Sequence, residues 1–103
     1  MADINWDALR ALPIPETLRL ACGTDVPHEV GVRVFNYYDG EVGVIAAKAT
    51  HVQPDTSGLL PDGAAWWVDF LSDMDARKGA RMSCSLDGSR MCSIDHATKR
   101  GWL

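Results

Sequence analysis

Six side chains in this chain could ligate a metal or serve as nucleophile and base: Cys22, Cys84, Cys92, His28, His51 and His96. A structural zinc site usually starts from a close pair such as C-x2-C, which fixes half the tetrahedron on one turn. No such pair occurs here, so the expectation is no metal and no cofactor. Cys22 and Cys84 read instead as small buried hydrophobes, a common state for a free cysteine. Cys92 and His96 have the spacing of a nucleophile and its base, one at a strand end and one on the next helical turn. That chemistry needs the imidazole within hydrogen-bond reach and a third group to orient it. Asp95 is adjacent, but neighbours on a helix point in different directions. No glycine-rich nest for an oxyanion stands beside the pair. The expected chain is not an enzyme. Of the three thiols, Cys92 is expected to be the most exposed and the quickest to alkylate.

The remaining charged and glycine-rich positions have structural explanations. Asp69, Asp73 and Asp75 lack the alternating oxygen ligands of a calcium loop and read as a solvated helix face. Arg77, Lys78, Arg81, Arg90, Lys99 and Arg100 make the second half mildly cationic, with few aromatics between them to stack bases. No G-x-G-x-x-G or Walker pattern occurs among the glycines.

The elements that would position these groups centre on Asp62 to Gly79. Trp66, Trp67, Phe70, Leu71 and Met74 fall on one stripe of a 3.6-period helix. Asp62 is placed to cap it, while Arg77, Lys78 and Gly79 suit its C-terminus. The competing reading is a strand, since Trp-Trp-Val-Asp-Phe has high β propensity. Two Asp-Gly pairs predict hairpins. The first joins Val30–Tyr38 to Glu41–Val52, and the second joins Ala80–Leu86 to Ser89–Ile94. With two-residue loops, Val34 opposes Ile45, Phe35 opposes Val44, and Tyr37 opposes Val42. In the second hairpin Cys84 and Cys92 then face opposite ways.

A short leading strand is predicted at Thr17–Cys22. A first helix starts at an Asn5 cap with Ile4 and Leu9 as a hydrophobic staple. A last helix is capped by Ser93 or Asp95, and Trp102 folds back after it. The predicted architecture is α+β, with two hairpins and a leading strand in one antiparallel sheet, a central amphipathic helix and short terminal helices. Should Trp66–Leu71 be a strand, the chain becomes a mostly β meander or small barrel.

Composition bounds the function. The 103 residues make one domain with ordinary globular content, 47% hydrophobic and 23% charged. A net charge of −4 disfavours nonspecific phosphate binding. No apolar run is long enough to span a membrane, and the acidic start is unlike a secretory signal. Three cysteines then point to a reducing cytoplasm. The expected function is a small non-enzymatic interaction protein, an adaptor or an inhibitor that covers a partner's surface. Small acidic proteins of this kind are common on mobile genetic elements. The alternatives are a nucleic-acid-associated β module and a Cys/His-dependent enzyme or zinc protein. The candidate partner-binding residues are Phe35, Tyr37, Val42 and Val44, an apolar face of the first hairpin bordered by Arg33 and Lys48. Either that face is open, for a homodimer or a protein target, or Trp6, Leu9 and Leu12 of the first helix cover it.

Overall fold

The computed structural model of the chain describes residues 6–60, 63–79 and 84–103. Expectations that rest on Ile4, Asn5, Asp62 and residues 80–83 lie outside these. The elements in chain order are α1 (Trp6–Arg10), β1 (Thr17–Arg19), β2 (Asp25–Pro27), β3 (Arg33–Asn36) and β4 (Glu41–Pro54). They continue as β5 (Ala64–Ser72), α2 (Asp73–Arg77), β6 (Cys84–Leu86), a 3-10 turn (Gly88–Arg90), β7 (Met91–Cys92) and α3 (Ile94–Lys99). The strands form two antiparallel sheets, one of β1 and β2, the other ordered β6-β5-β4-β3-β7. The fold is therefore mostly β with short helices, and the predicted leading strand pairs with β2 instead of joining the larger sheet. No described helix is long and apolar enough to cross a membrane.

The central helix is not formed. Trp66 to Ser72 is the inner part of a strand, and burial alternates along it: Val68, Phe70 and Ser72 are buried while Asp69 is exposed. The residues fit both periods, because Trp66 and Phe70 share a face in a helix and also in a strand. Pairing decided the outcome, since β5 gains ladders to β4 on one side and to β6 on the other. The helix begins only at Asp73, where the Ser72 hydroxyl caps it by accepting from the Asp75 amide at 3.1 Å. Asp69 and Asp73 consequently share no helix face, and Met74 is exposed. The predicted end does hold, with Arg77 in the last turn and Gly79 at a φ of 77°.

The first hairpin forms with a four-residue loop, Tyr37 to Gly40, closed by the Asn36–Glu41 pair. Asn36 makes the difference. Its side-chain oxygen accepts from the Tyr38 amide at 3.1 Å, its Nδ2 donates to Asp39, and its carbonyl accepts from Gly40. Relative to the predicted register, every partner moves by two: Val34 opposes Gly43 and Phe35 opposes Val42. A slip of two returns each side chain to its predicted face, because strand periodicity is two. Gly43 sits under the Phe70 ring, and a Cβ there would lie 2.2 Å from the Leu71 carbonyl oxygen.

The second hairpin is absent. β6 and β7 occupy opposite edges of the five-stranded sheet. Asp87 does not enter a two-residue turn; it caps the 3-10 turn, accepting from the Ser89 amide at 2.8 Å. Gly88 is required for close approach, since a Cβ there would stand 2.0 Å from the Arg19 carbonyl oxygen of β1. Four strand spacings separate the edges of a flat five-stranded sheet by about 19 Å. The connection from Leu86 to Met91, part of it 3-10, spans about 14 Å at most. The sheet must therefore curl, and the result is a half-barrel.

Leu18 and Leu20 from the leading segment fill the curl, packing with Val34, Ile45, Ala49, Val68, Phe70, Leu86 and Met91. A second cluster lies on the outer face: Phe35, Cys92 and Ala97, with Cys22, Tyr37, Val42 and Ile94 against them. Its cover is the C-terminal segment. Ser93 caps α3, the Trp102 amide returns to the Ala97 carbonyl at 2.9 Å, and the Trp102 ring stacks on Phe35 at 6.1 Å. The first helix is not that cover. Its Trp6, with Leu12 and Ile14 after it, borders Thr50, Val52 and Trp66 at the far end of β4.

Among the described residues Arg10 pairs with Asp7 within α1, while two ion pairs join separate elements, Arg19 with Asp25 at 2.6 Å and Arg33 with Asp73 at 2.6 Å. Hydrogen bonding to the guanidinium in each of these two holds the carboxyl below its ordinary range. The native state thus keeps these carboxylates ionised at lower pH than the unfolded chain does. The stability they add is present above about pH 4 and is lost as pH falls through their folded values. An acid titration followed by circular dichroism should therefore fall less steeply below about pH 4 in Asp73→Asn than in the wild type.

Candidate interaction surface

The sequence singled out two groups of residues, and the fold treats them differently. His28 belongs to the core, where it is 2% exposed. His51 is exposed on β4 opposite Trp67, and Cys84 is exposed on the β6 edge. Only Cys22, Cys92 and His96 come together, around one open cleft of about 440 Å³. No group of His, Cys, Asp and Glu among the described residues is arranged to hold a metal ion.

Within that cleft the cysteines differ. Cys92 is buried, and burial, with the nearby Cys22 charge, pushes its thiol up to about 11. Among the described residues Cys92 and His96 line the same cleft with no hydrogen bond between them. Burial also pushes Cys22 up, but hydrogen bonds from Thr24 and Ser93 outweigh it and hold the thiol below its usual value. The predicted order of reactivity is therefore reversed. A maleimide under native conditions at neutral pH should modify Cys84 and Cys22 well before Cys92, whose thiolate fraction is roughly one in ten thousand. Peptide mapping by mass spectrometry reads the order, and early labelling of Cys92 would contradict its place beneath α3.

Of the face of Phe35, Tyr37, Val42 and Val44, only Tyr37 lines the cleft, and the face is only partly covered. Phe35 is 2% exposed beneath Trp102. Tyr37, Val42 and Val44 are half-buried. The Tyr37 hydroxyl donates to the Ser89 carbonyl, and burial raises the phenol above its ordinary value. The cover itself presents new aromatic surface: Trp102 is 45% exposed, and Tyr38 at the hairpin tip is 64% exposed. The rings form a run, with Tyr38 edge-on to Tyr37 at 5.0 Å and Tyr37 at 6.3 Å from Trp102. Leu59 from the loop after β4 and His96 of α3 complete the walls of the cleft. The Asp55 carboxylate shapes that loop by accepting from the Ser57 and Leu60 amides, both at 2.9 Å.

Two arginines lie on this run of rings. Arg90 stands 4.7 Å from the Trp67 ring and 5.6 Å from Tyr38, and Arg100 stands 5.5 Å from Trp102. The arginines Arg10, Arg19 and Arg33 each have an aspartate partner; among the described residues Arg90 and Arg100 have none. Of the six cations that the sequence placed in the second half, Arg90 and Arg100 thus lie over aromatic rings, an arrangement that fixes both partners. Tyr38 was not singled out in the sequence, and Arg90 stood there only as one of the basic residues of the second half. A pair of tyrosines running into an Asp-Gly hairpin tip is the signal that could have found Tyr38, because a tip residue has few neighbours to bury it. Comparison of the chain with protein-family models, with curated proteins and with solved structures finds no match.

Proposed function

We propose that this chain is a non-enzymatic interaction module, an adaptor or inhibitor that covers a partner's surface with the face built on Phe35, Tyr37, Val42 and Val44. The observation that carries this reading is the exposure of Trp102 on the cleft and of Tyr38 beside the cleft-lining Tyr37, with both rings held by arginines. Aromatic and arginine anchors dominate binding hot spots, and anchors held in place before binding lose less entropy when they dock. Phe35 supports the rim from below, while Tyr37 forms the wall. Three free thiols suit a reducing compartment such as the cytoplasm.

Tyr38→Ser separates binding from folding, because the side chain is exposed and its removal should leave circular dichroism and the melting temperature nearly unchanged. In parallel captures from an extract of the source cells, wild type should retain a protein that Tyr38→Ser does not. Sedimentation velocity on the same pair shows whether that protein is a second copy of the chain. Identical retention by a folded Tyr38→Ser variant would overturn the reading.

A further inference from the structure

We propose that the partner presents an acidic peptide segment in which one bulky apolar side chain is flanked on both sides by carboxylates. This rests on the interaction-module reading and names the chemistry of its partner. The apolar side chain is placed by the cleft. Leu59, Tyr37 and Trp102 wall it, the buried Cys92 lies at its base, and its volume of about 440 Å³ exceeds that of one large side chain. Only an apolar group gains by entering, because the walls offer more hydrocarbon and ring surface than hydrogen-bonding groups.

The flanking carboxylates are placed by the arginines. Arg90 and Arg100 stand at the two ends of the run Tyr38, Tyr37, Trp102. A guanidinium lying flat on a ring keeps its N–H edge free, and that edge matches a carboxylate bidentately. Among the described residues no carboxylate is paired with either edge. Asp39 is bonded by Asn36, Asp87 is buried and bonded by Ser89, and Asp95 sits in the first turn of α3, where the helix dipole favours it. In a chain of net charge −4, this face is one where arginine is not neutralised by aspartate. Charge complementarity then selects an acidic partner. A single-stranded nucleic acid fits less well. Base stacking needs open ring faces, and here Arg90 lies over Tyr38 while Arg100 and Phe35 lie against Trp102.

A phage-displayed library of short random peptides, panned on the immobilised full chain, tests this directly. Enriched sequences should carry one Phe, Trp, Leu, Ile or Met with Asp or Glu on both sides. Panning on Arg90→Gln/Arg100→Gln should lose the acidic preference, and the best synthetic peptide should bind that variant about tenfold more weakly. Arg100→Gln alone, at an exposed position, serves if the double variant does not fold, and should weaken the same peptide. Apolar peptides selected without carboxylates but lost with Tyr38→Ser would overturn the acidic class while the module reading stands. An acidic preference unchanged in the arginine variants would overturn the assignment of Arg90 and Arg100. Selection of no peptide, or tighter binding of oligothymidylate than of any selected peptide, would overturn the inference. The capture experiment then decides the module reading separately.

Discussion

Phe35→Asp is expected to leave no folded domain at 25 °C. Phe35 is 2% exposed, packed with Cys92 and Ala97 and closed over by the Trp102 ring. Truncation of such a ring alone costs about 3–5 kcal/mol. A carboxylate left there without a partner adds several more, through desolvation that nothing in the cluster offsets. The sum approaches the whole stability of a typical domain, about 5–15 kcal/mol. Read as an exposed anchor in the sequence, the same substitution would have left the fold intact and removed only binding. Far-UV circular dichroism of purified Phe35→Asp beside wild type decides between these. A cooperative melt near the wild-type temperature would show that the C-terminal cover is not in place.

The second large effect is expected at His28. Its Nδ1–H donates to the Pro15 carbonyl at 2.8 Å, and its Nε2 accepts from the Ala49 amide at 2.9 Å. Only the neutral ring with its hydrogen on Nδ1 satisfies both. Ala49 lies in the stretch of β4 where the ladder to β5 loses register between Ala47 and His51. The imidazole thus supplies the amide with the partner it needs and ties the leading segment to the half-barrel. His28→Ala leaves the buried Ala49 amide and the part-buried Pro15 carbonyl without their partner and opens a cavity, at a cost of about 3–5 kcal/mol. His28→Phe refills the volume without the hydrogen bonds, so it should recover only a minor part of that loss in urea unfolding. Full recovery would mean that packing, and not the two bonds, is what His28 contributes.

Local chemistry was legible in the sequence where one residue decides the outcome. The cap of the last helix (Ser93, of the two residues the sequence offered), the return of Trp102 and the Gly79 terminus all follow from side chains acting within a few positions of themselves. The faces of the first hairpin were legible even though its register was not, because Asn36 lengthened the loop by an even number of residues. Where two structures use the same residues, sequence could not choose. Trp66, Trp67, Phe70 and Leu71 suit a helix stripe and a strand, and the β4 and β6 partners that decide between them lie elsewhere in the chain. Asp87-Gly88 suits a hairpin turn and a capped 3-10 turn equally, and the Arg19 carbonyl that forces the second is distant in sequence. The candidate site was half legible for the same reason. Phe35 and Tyr37 stood out by alternation, but Arg90 and Tyr38 meet only once the sheet has curled.

That curl also sets an order of events. Phe35 pairs with Cys92 across more than half the chain, so β3 keeps an unpaired edge until β7 arrives. Every other ladder of the larger sheet joins nearer neighbours in sequence and can form first. Closure therefore waits on the longest loop search, and such long-range pairing places folding in the slower range, about milliseconds to seconds. During that interval the free β3 edge, with Val34 and Phe35 uncovered, can pair with the same edge of another chain. Refolding yield should accordingly fall as protein concentration rises, because this edge is where the chain is first vulnerable to its own copies.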